Sequence, residues 1–264
     1  MARWGVVVAA IALALALSAC RTPGALRPLP AADPRPGLLL DAFERAALER
    51  RALRGRARID VEGASGLRLS GRQVVVAERP TRLRVEVLGL FDQALAVLTT
   101  DGDHFELFRT ADLSFEEGPL RPEILWEQAR IALRPEEAIG LLLGAPLPEP
   151  GLVPVRAEGS EDGSVRVSLA APGGAERRRL GFDTQGRLLR VEVLAEDGDV
   201  EWIAAFGDYA PVGGVPFAHA ISLYVAQGDT RAEIRLRDVE LNPELPAGVF
   251  SIRPPRSAAC GGSG

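Results

Sequence analysis

Glycine-bearing turn signals recur along the chain: Asp101-Gly102, Asp162-Gly163, Pro172-Gly173-Gly174, Gln185-Gly186, Asp197-Gly198 and Gln227-Gly228-Asp229. Between them lie runs in which apolar and polar residues alternate. Period two places every second side chain on the same face of a half-buried strand. A chain built this way has few options beyond an antiparallel sheet. The stretch 80–118 shows the pattern best. Leu83, Val85 and Val87 alternate with Arg82, Arg84 and Glu86, a second apolar run covers 94–100, and Phe105 and Leu107 follow Asp101-Gly102. Asp-Gly between two such runs suits a type I′ hairpin, whose central residues both need positive φ. The stretch therefore reads as a β-meander. Its first turn is odd, because it carries Leu90 and Phe91 where turn chemistry favours polar residues.

Further strands are expected over 53–61, 66–77, 153–158, 164–170, 176–183, 187–194, 200–209, 216–226 and 230–241. A sheet of about ten strands curls rather than lying flat. Helices are few. In the span 38–52, Leu40, Phe43 and Ala47 fall on one helical face. Pro122 and Pro135 suit first helical positions, where a missing N–H costs nothing. Glu136 and Glu137 favour the start of the second of these helices, and Gly144 with Pro146 ends it. Ile139-Gly140-Leu141-Leu142-Leu143 is apolar nearly all round, so this helix should be buried. The expected fold class is α+β, a large curled antiparallel sheet forming an incomplete β-barrel, with a few helices over its concave face. Apolar residues make up 47% of the chain, enough for a sizeable core. A curled wall of that size offers more apolar inner surface than three short helices fill at ordinary density, so a cavity for apolar guests is expected.

The first residues read as a processing signal. Arg3 precedes an apolar run over 4–17, shorter than the span of about 20 residues that a bilayer requires. Leu17-Ser18-Ala19-Cys20 resembles the bacterial lipobox, which implies acylation of Cys20, palmitate being one such chain, and membrane attachment through that lipid. Arg21, where enteric bacteria use Asp to retain lipoproteins at the inner membrane, resembles an outer-membrane address. The chain then divides into a signal peptide (1–19), an acylated cysteine and Pro-rich tether (20–37), one domain (38–256) and a tail (257–264). With Cys20 modified, only Cys260 remains, so no intrachain disulfide is expected.

Chemistry-bearing motifs are scarce. All 31 basic residues are Arg, and the formal charge of −5 disfavours nucleic acid. His104 sits in a hairpin and His219 in an alternating strand. Glu116-Glu117 and Glu161-Asp162 lie beside turn glycines, and Trp126 and Trp202 read as core anchors. The sequence has no G-x-S-x-G elbow, no H-E-x-x-H and no phosphate-binding glycine loop. No catalytic residue, metal or cofactor is expected, and the reading is not an enzyme.

Two stretches carry a resemblance. Leu88-Gly89-Leu90-Phe91-Asp92 is similar to a loop of the LolB receptor, and the lid segment of that receptor is similar to residues 133–146, Leu-Arg-Pro-Glu-Glu-Ala-Ile-Gly-Leu-Leu-Leu-Gly-Ala-Pro. The stretch from Leu241-Asn242-Pro243 to Phe250 is similar to the family's last strand and its Phe. With the acylated N-terminus and the tether, the chain resembles the LolA/LolB superfamily of periplasmic lipoprotein carriers and outer-membrane receptors. The resemblance implies a half-barrel with a helical lid over a cavity for lipoprotein acyl chains. It implies a LolA-like carrier as partner and a periplasm-facing place on the outer membrane of a Gram-negative bacterium. Leu90 matches the receptor's protruding leucine, which implies a membrane-inserting loop at Leu90 and Phe91, although Phe91 stands where the receptor commonly has Gly. Val85, Val87, Leu95, Val97, Phe105, Ile139 and Leu142 are the expected cavity lining. The alternative is a sensing or scaffolding module of the envelope with a closed core.

Overall fold

The computed structural model describes residues 25–64, 66, 68–147 and 149–252. The signal segment, Cys20, Cys260 and the tail 257–264 lie outside the described residues. One antiparallel sheet dominates. Its strands are β1 (Arg27–Pro28), β2 (Ala52–Glu62), β3 (Arg68–Glu78), β4 (Arg82–Leu88), β5 (Ala94–Thr100), β6 (His104–Arg109), β7 (Ser114–Pro119), β8 (Val153–Gly159), β9 (Val165–Ala170), β10 (Glu176–Phe182), β11 (Leu188–Leu194), β12 (Val200–Val212), β13 (Val215–Val225) and β14 (Thr230–Leu241). The helices are α1 (Arg35–Glu49), α2 (Ile124–Ala129) and α3 (Pro135–Leu142).

The fourteen strands run in the order β1-β8-β9-β10-β11-β12-β13-β14-β2-β3-β4-β5-β6-β7. Two meanders, β2 to β7 and β8 to β14, are thus zipped together where β14 pairs with β2. The sheet curls without closing. The strand total exceeds the expected ten because the stretch 80–118 supplies four strands and because the supposed tether supplies β1. Arg27 pairs with Gly159 and Pro28 with Glu158. Leu29 packs against the core, and α1 begins at Arg35. The tether expected over 20–37 therefore joins the domain by residue 27.

Alternation explains the core. Direct antiparallel partners share a face, so the register Leu236–Ala57, Ile221–Ile234, Ala204–Leu223 and Leu180–Val191 carries one apolar face across the sheet. This concave face is filled by the helices. Phe43 of α1 meets Phe182 edge-on at 6.3 Å, and Ile139 and Leu141 of α3 and Leu143 just after it are fully buried. Burial on that scale contributes roughly 1.5–3 kcal/mol per large side chain. Gly140 lets α3 approach the chain that returns to β8, since a Cβ there would lie 3.0 Å from Pro146 Cα. Gly144 ends the helix at φ +62, as its position suggested.

Two local expectations fail. Of the residues in the hairpin after β5, only Gly102 has positive φ, so the type I′ turn is not formed. Instead the Asp101 carboxylate accepts hydrogen bonds from the backbone N–H groups of Asp103 and His104 at 3.0 and 2.8 Å, which hold its pKa below the usual carboxylate range. The stretch 242–252 is also no strand. It crosses the convex face of β3 to β6, where Arg84 Nη1 donates to the carbonyls of Val249 and Ser251 and the Arg82 guanidinium sits 4.5 Å over the Phe250 ring.

The curl has two rims. One carries the turn at residues 63, 64 and 66 and the turns 89–93, 110–113, 171–175, 195–199 and 226–229. The other carries the turns 79–81, 101–103, 160–164, 183–187 and 213–214. β1 enters from this second rim, beside Gly159 and Glu161.

Candidate functional site

Helix α3 runs inside the curl from the first rim to the second and is fastened at both ends. At its start, Glu137 accepts from the Arg134 backbone N–H at 2.9 Å, from Arg134 Nη2 at 3.3 Å and from Trp202 Nε1 of β12 at 3.2 Å. One carboxylate thereby caps the helix and satisfies a buried indole. At its end, Arg50 Nη1 donates to the carbonyls of Leu143 and Gly144 at 3.2 Å each, and Nη2 donates to that of Pro216 at 2.8 Å. Arg79 donates from Nη2 to the Ala145 carbonyl and from Nε to the Arg50 carbonyl. Burial, and then the charge of Arg50, pulls the Arg79 pKa down to about 10.

A cavity of about 1130 Å³ opens at the first rim, beyond the start of α3. Its apolar walls are Trp126 of α2, Leu133, Leu147, Val193, Trp202 and Val225. Glu123, Glu136, Glu149 and Glu201 also line it, together with Arg134 and Arg177. Arg178 of β10 also lines it and donates from Nη1 to the Leu147 carbonyl at 2.6 Å. That bond fixes the return loop, which forms the wall between this cavity and a second one of about 370 Å³ beside α1.

The turn after β4 lies on the same rim. Leu90 and Phe91 are each 89% exposed at its tip. Arg72 straps the turn, with Nη2 donating to the Gly89 carbonyl at 2.7 Å and Nη1 pairing with the Asp92 carboxylate at 2.8 Å. Gln93 closes it through its carbonyl to the Gly89 N–H and its side-chain Oε1 to the Phe91 N–H. Leu113 is exposed in the adjoining turn, which is tied to β5 by the Thr110 N–H on the Leu95 carbonyl at 2.9 Å. Apolar tips on strapped turns thus stand on the same rim as the mouth.

No protein-family model and no curated protein matches the chain. Among solved structures, a LolA superfamily protein from Nitrosomonas europaea superposes with a TM-score of 0.53 at 13% identity, over 80% of this chain and 97% of that one. The fold is that of the LolA superfamily. A domain from Vibrio parahaemolyticus, assigned to outer membrane lipoprotein sorting, gives 0.49 at 11% identity over 81% of this chain and 94% of its own. At such identities the likeness is one of fold.

Within this LolA-like fold the expected lining residues part company. Phe105, Ile139 and Leu142 are buried in the core, Val85 packs against it half-buried, and Val87 is half-buried. Leu95 and Val97 are on the wrong side. Val85 pairs with Leu98, whereas Val97 pairs with Glu86, so Val97 and Leu95 face outward. Val97 is buried on the convex face that the C-terminal segment crosses, and Leu95 is 45% exposed. None of the seven lines the larger cavity. The lining that sequence reasoning missed includes Trp126 and Trp202, taken for plain core, and Arg178. The last had a signal: it shares strand parity with Leu180 and Phe182, an arginine at an inward position. His104 is exposed, and His219 Nδ1 lies 3.1 Å from the Leu236 carbonyl. Among the described residues no group of His, Cys, Asp and Glu could hold a metal ion.

Proposed function

We propose that this is a lipid-anchored, non-enzymatic envelope protein that takes up acyl chains of other lipoproteins in the rim cavity and passes them to the outer membrane. The reading is carried by one juxtaposition: an open cavity walled by Trp126, Leu133, Trp202 and Val225 on the same rim as outward-facing Leu90 and Phe91. Acyl chains need apolar walls and no catalytic group. Cys20 provides the anchor, a periplasmic LolA-like carrier supplies the cargo, and the turn tips enter the bilayer interface where the chain leaves. Replacing both Leu90 and Phe91 with Glu is expected to leave the melting temperature unchanged, because neither side chain packs on the core. The same change should abolish transfer of an acylated lipoprotein from the protein to vesicles. Unimpaired transfer would discard the insertion role.

A second reading has its own support. Ile139, Leu141 and Leu143 fill much of the concave face, which suits a sensing or scaffolding module with a closed core. Such a module would carry no lipid out of the membrane, so bound lipid separates the two readings.

A further inference from the structure

Arg178 is a charge in an unusual place. It holds an inward position of β10, paired with Val193 on one side and Leu169 on the other. The residue is 7% exposed, and among the described residues its Nε has no hydrogen-bond partner and its one side-chain hydrogen bond is the Nη1 bond to the Leu147 carbonyl. The carboxylates that attract it are Glu149 and Glu137. Glu137 pairs with Arg134, and among the described residues neither carboxylate forms an ion pair with Arg178. Burial lowers the Arg178 pKa against the attraction of Glu149 and Glu137, yet an arginine stays charged. A guanidinium has five donors, and leaving most of them unmet in an apolar wall is costly unless something else meets them.

We propose that Arg178 receives the anionic head of an acyl amphiphile whose chain lies against Trp126, Leu133, Leu147 and Trp202. This rests on the acyl-binding reading above and narrows it. A carboxylate or a phosphate offers two oxygens to the fork of a guanidinium. The ester and amide carbonyls of an acylated lipoprotein cysteine also accept from Arg178, but as neutral acceptors they make weaker hydrogen bonds than the oxygens of an anion. The lining carries five glutamates, Glu123, Glu136, Glu137, Glu149 and Glu201, against three arginines, Arg134, Arg177 and Arg178, so its net charge does not favour a bare anion. An anion therefore gains entry only with enough apolar surface to compensate.

The test compares palmitate with methyl palmitate on the full-length protein, by displacement of a fluorescent fatty acid. The two ligands differ by one charge. The wild-type protein should bind palmitate roughly tenfold more tightly or better, the worth of one charge-assisted hydrogen bond. Arg178→Met should bind both equally, at the affinity of the ester, and Arg178→Lys should keep part of the preference. Inorganic phosphate should not displace the probe. A lysophospholipid run alongside distinguishes a phosphate head from a carboxylate, and either one should lose its advantage in Arg178→Met. Equal binding of acid and ester by the wild type, a comparison that needs no variant, overturns the head-group site while the acyl reading stands. A preference that survives in Arg178→Met overturns it too. If the wild type binds neither ligand, the acyl reading falls and this inference with it.

Discussion

Single residues decide where the chain is fastened and where it stays open. Tyr209 shows how burial tunes such a fastening. Its hydroxyl donates to the Leu188 carbonyl, and burial, only partly offset by the nearby Arg50 charge, pushes its pKa up to about 12. The folded protein thus keeps a proton that the unfolded chain releases near pH 10. The contribution of the phenol is fully present below pH 10 and is lost as the pH climbs toward 12. Tyr209→Phe should be less stable than wild type by about 1 kcal/mol at neutral pH, as one hydrogen bond is lost. In urea melts the gap should close between pH 10 and 12. At this scale the sequence was only half legible. Leu90 and Phe91 stood out because they broke turn chemistry. Arg178 was hidden because charged residues flank it, Arg177 and Arg179, and only strand parity tells them apart.

At the scale of elements, parity is also what misled. Alternation located the strands well, and the runs expected over 53–61, 187–194 and 230–241 lie within β2, β11 and β14 save for one residue. Faces cannot be carried across a turn without its length. The turn between β4 and β5 includes a register shift at Val87 and Leu88, so Val85 and Val97 look alike in sequence yet point to opposite sides. Apolar residues on a convex face need a cover, and the segment after β14 supplies it. Phe250 is 3% exposed there, with Val76 and Val97 buried on the same side of the sheet. Phe250→Ala should cost about 3–5 kcal/mol, typical of emptying a buried aromatic site. Denaturant titration checks this, and a loss under 1 kcal/mol would mean that the strap merely rests on the sheet. Helix α3 was readable from Pro135, the two glutamates and Gly144. Its arginine fastenings were not, because Arg50 and Arg79 are remote from it in sequence.

The whole molecule has a polarity that no local pattern contains. The mouth and the apolar turns share one rim, and β1 enters from the other. Six residues, 21–26, separate Cys20 from Arg27. Fully extended, that leash reaches about 25 Å. The 11 residues of β2 extend about 36 Å along the strand. The two lengths are comparable, so with the proposed lipid on Cys20 the domain would bring its mouth to its own bilayer only by tilting with the leash taut. Lengthening the leash by ten Gly/Ser residues ahead of Ala25 should therefore raise the rate of cargo delivery to the anchoring membrane, measured in reconstituted vesicles. An unchanged rate would mean that the mouth serves some other surface. The central claim, that the rim cavity holds an acyl chain, is tested most directly by native mass spectrometry of the protein extracted from its own membranes in mild detergent. The account predicts a species heavier than the acylated protein by the mass of one acyl lipid, released on activation in the gas phase. A spectrum showing the acylated protein alone under the mildest conditions would contradict it.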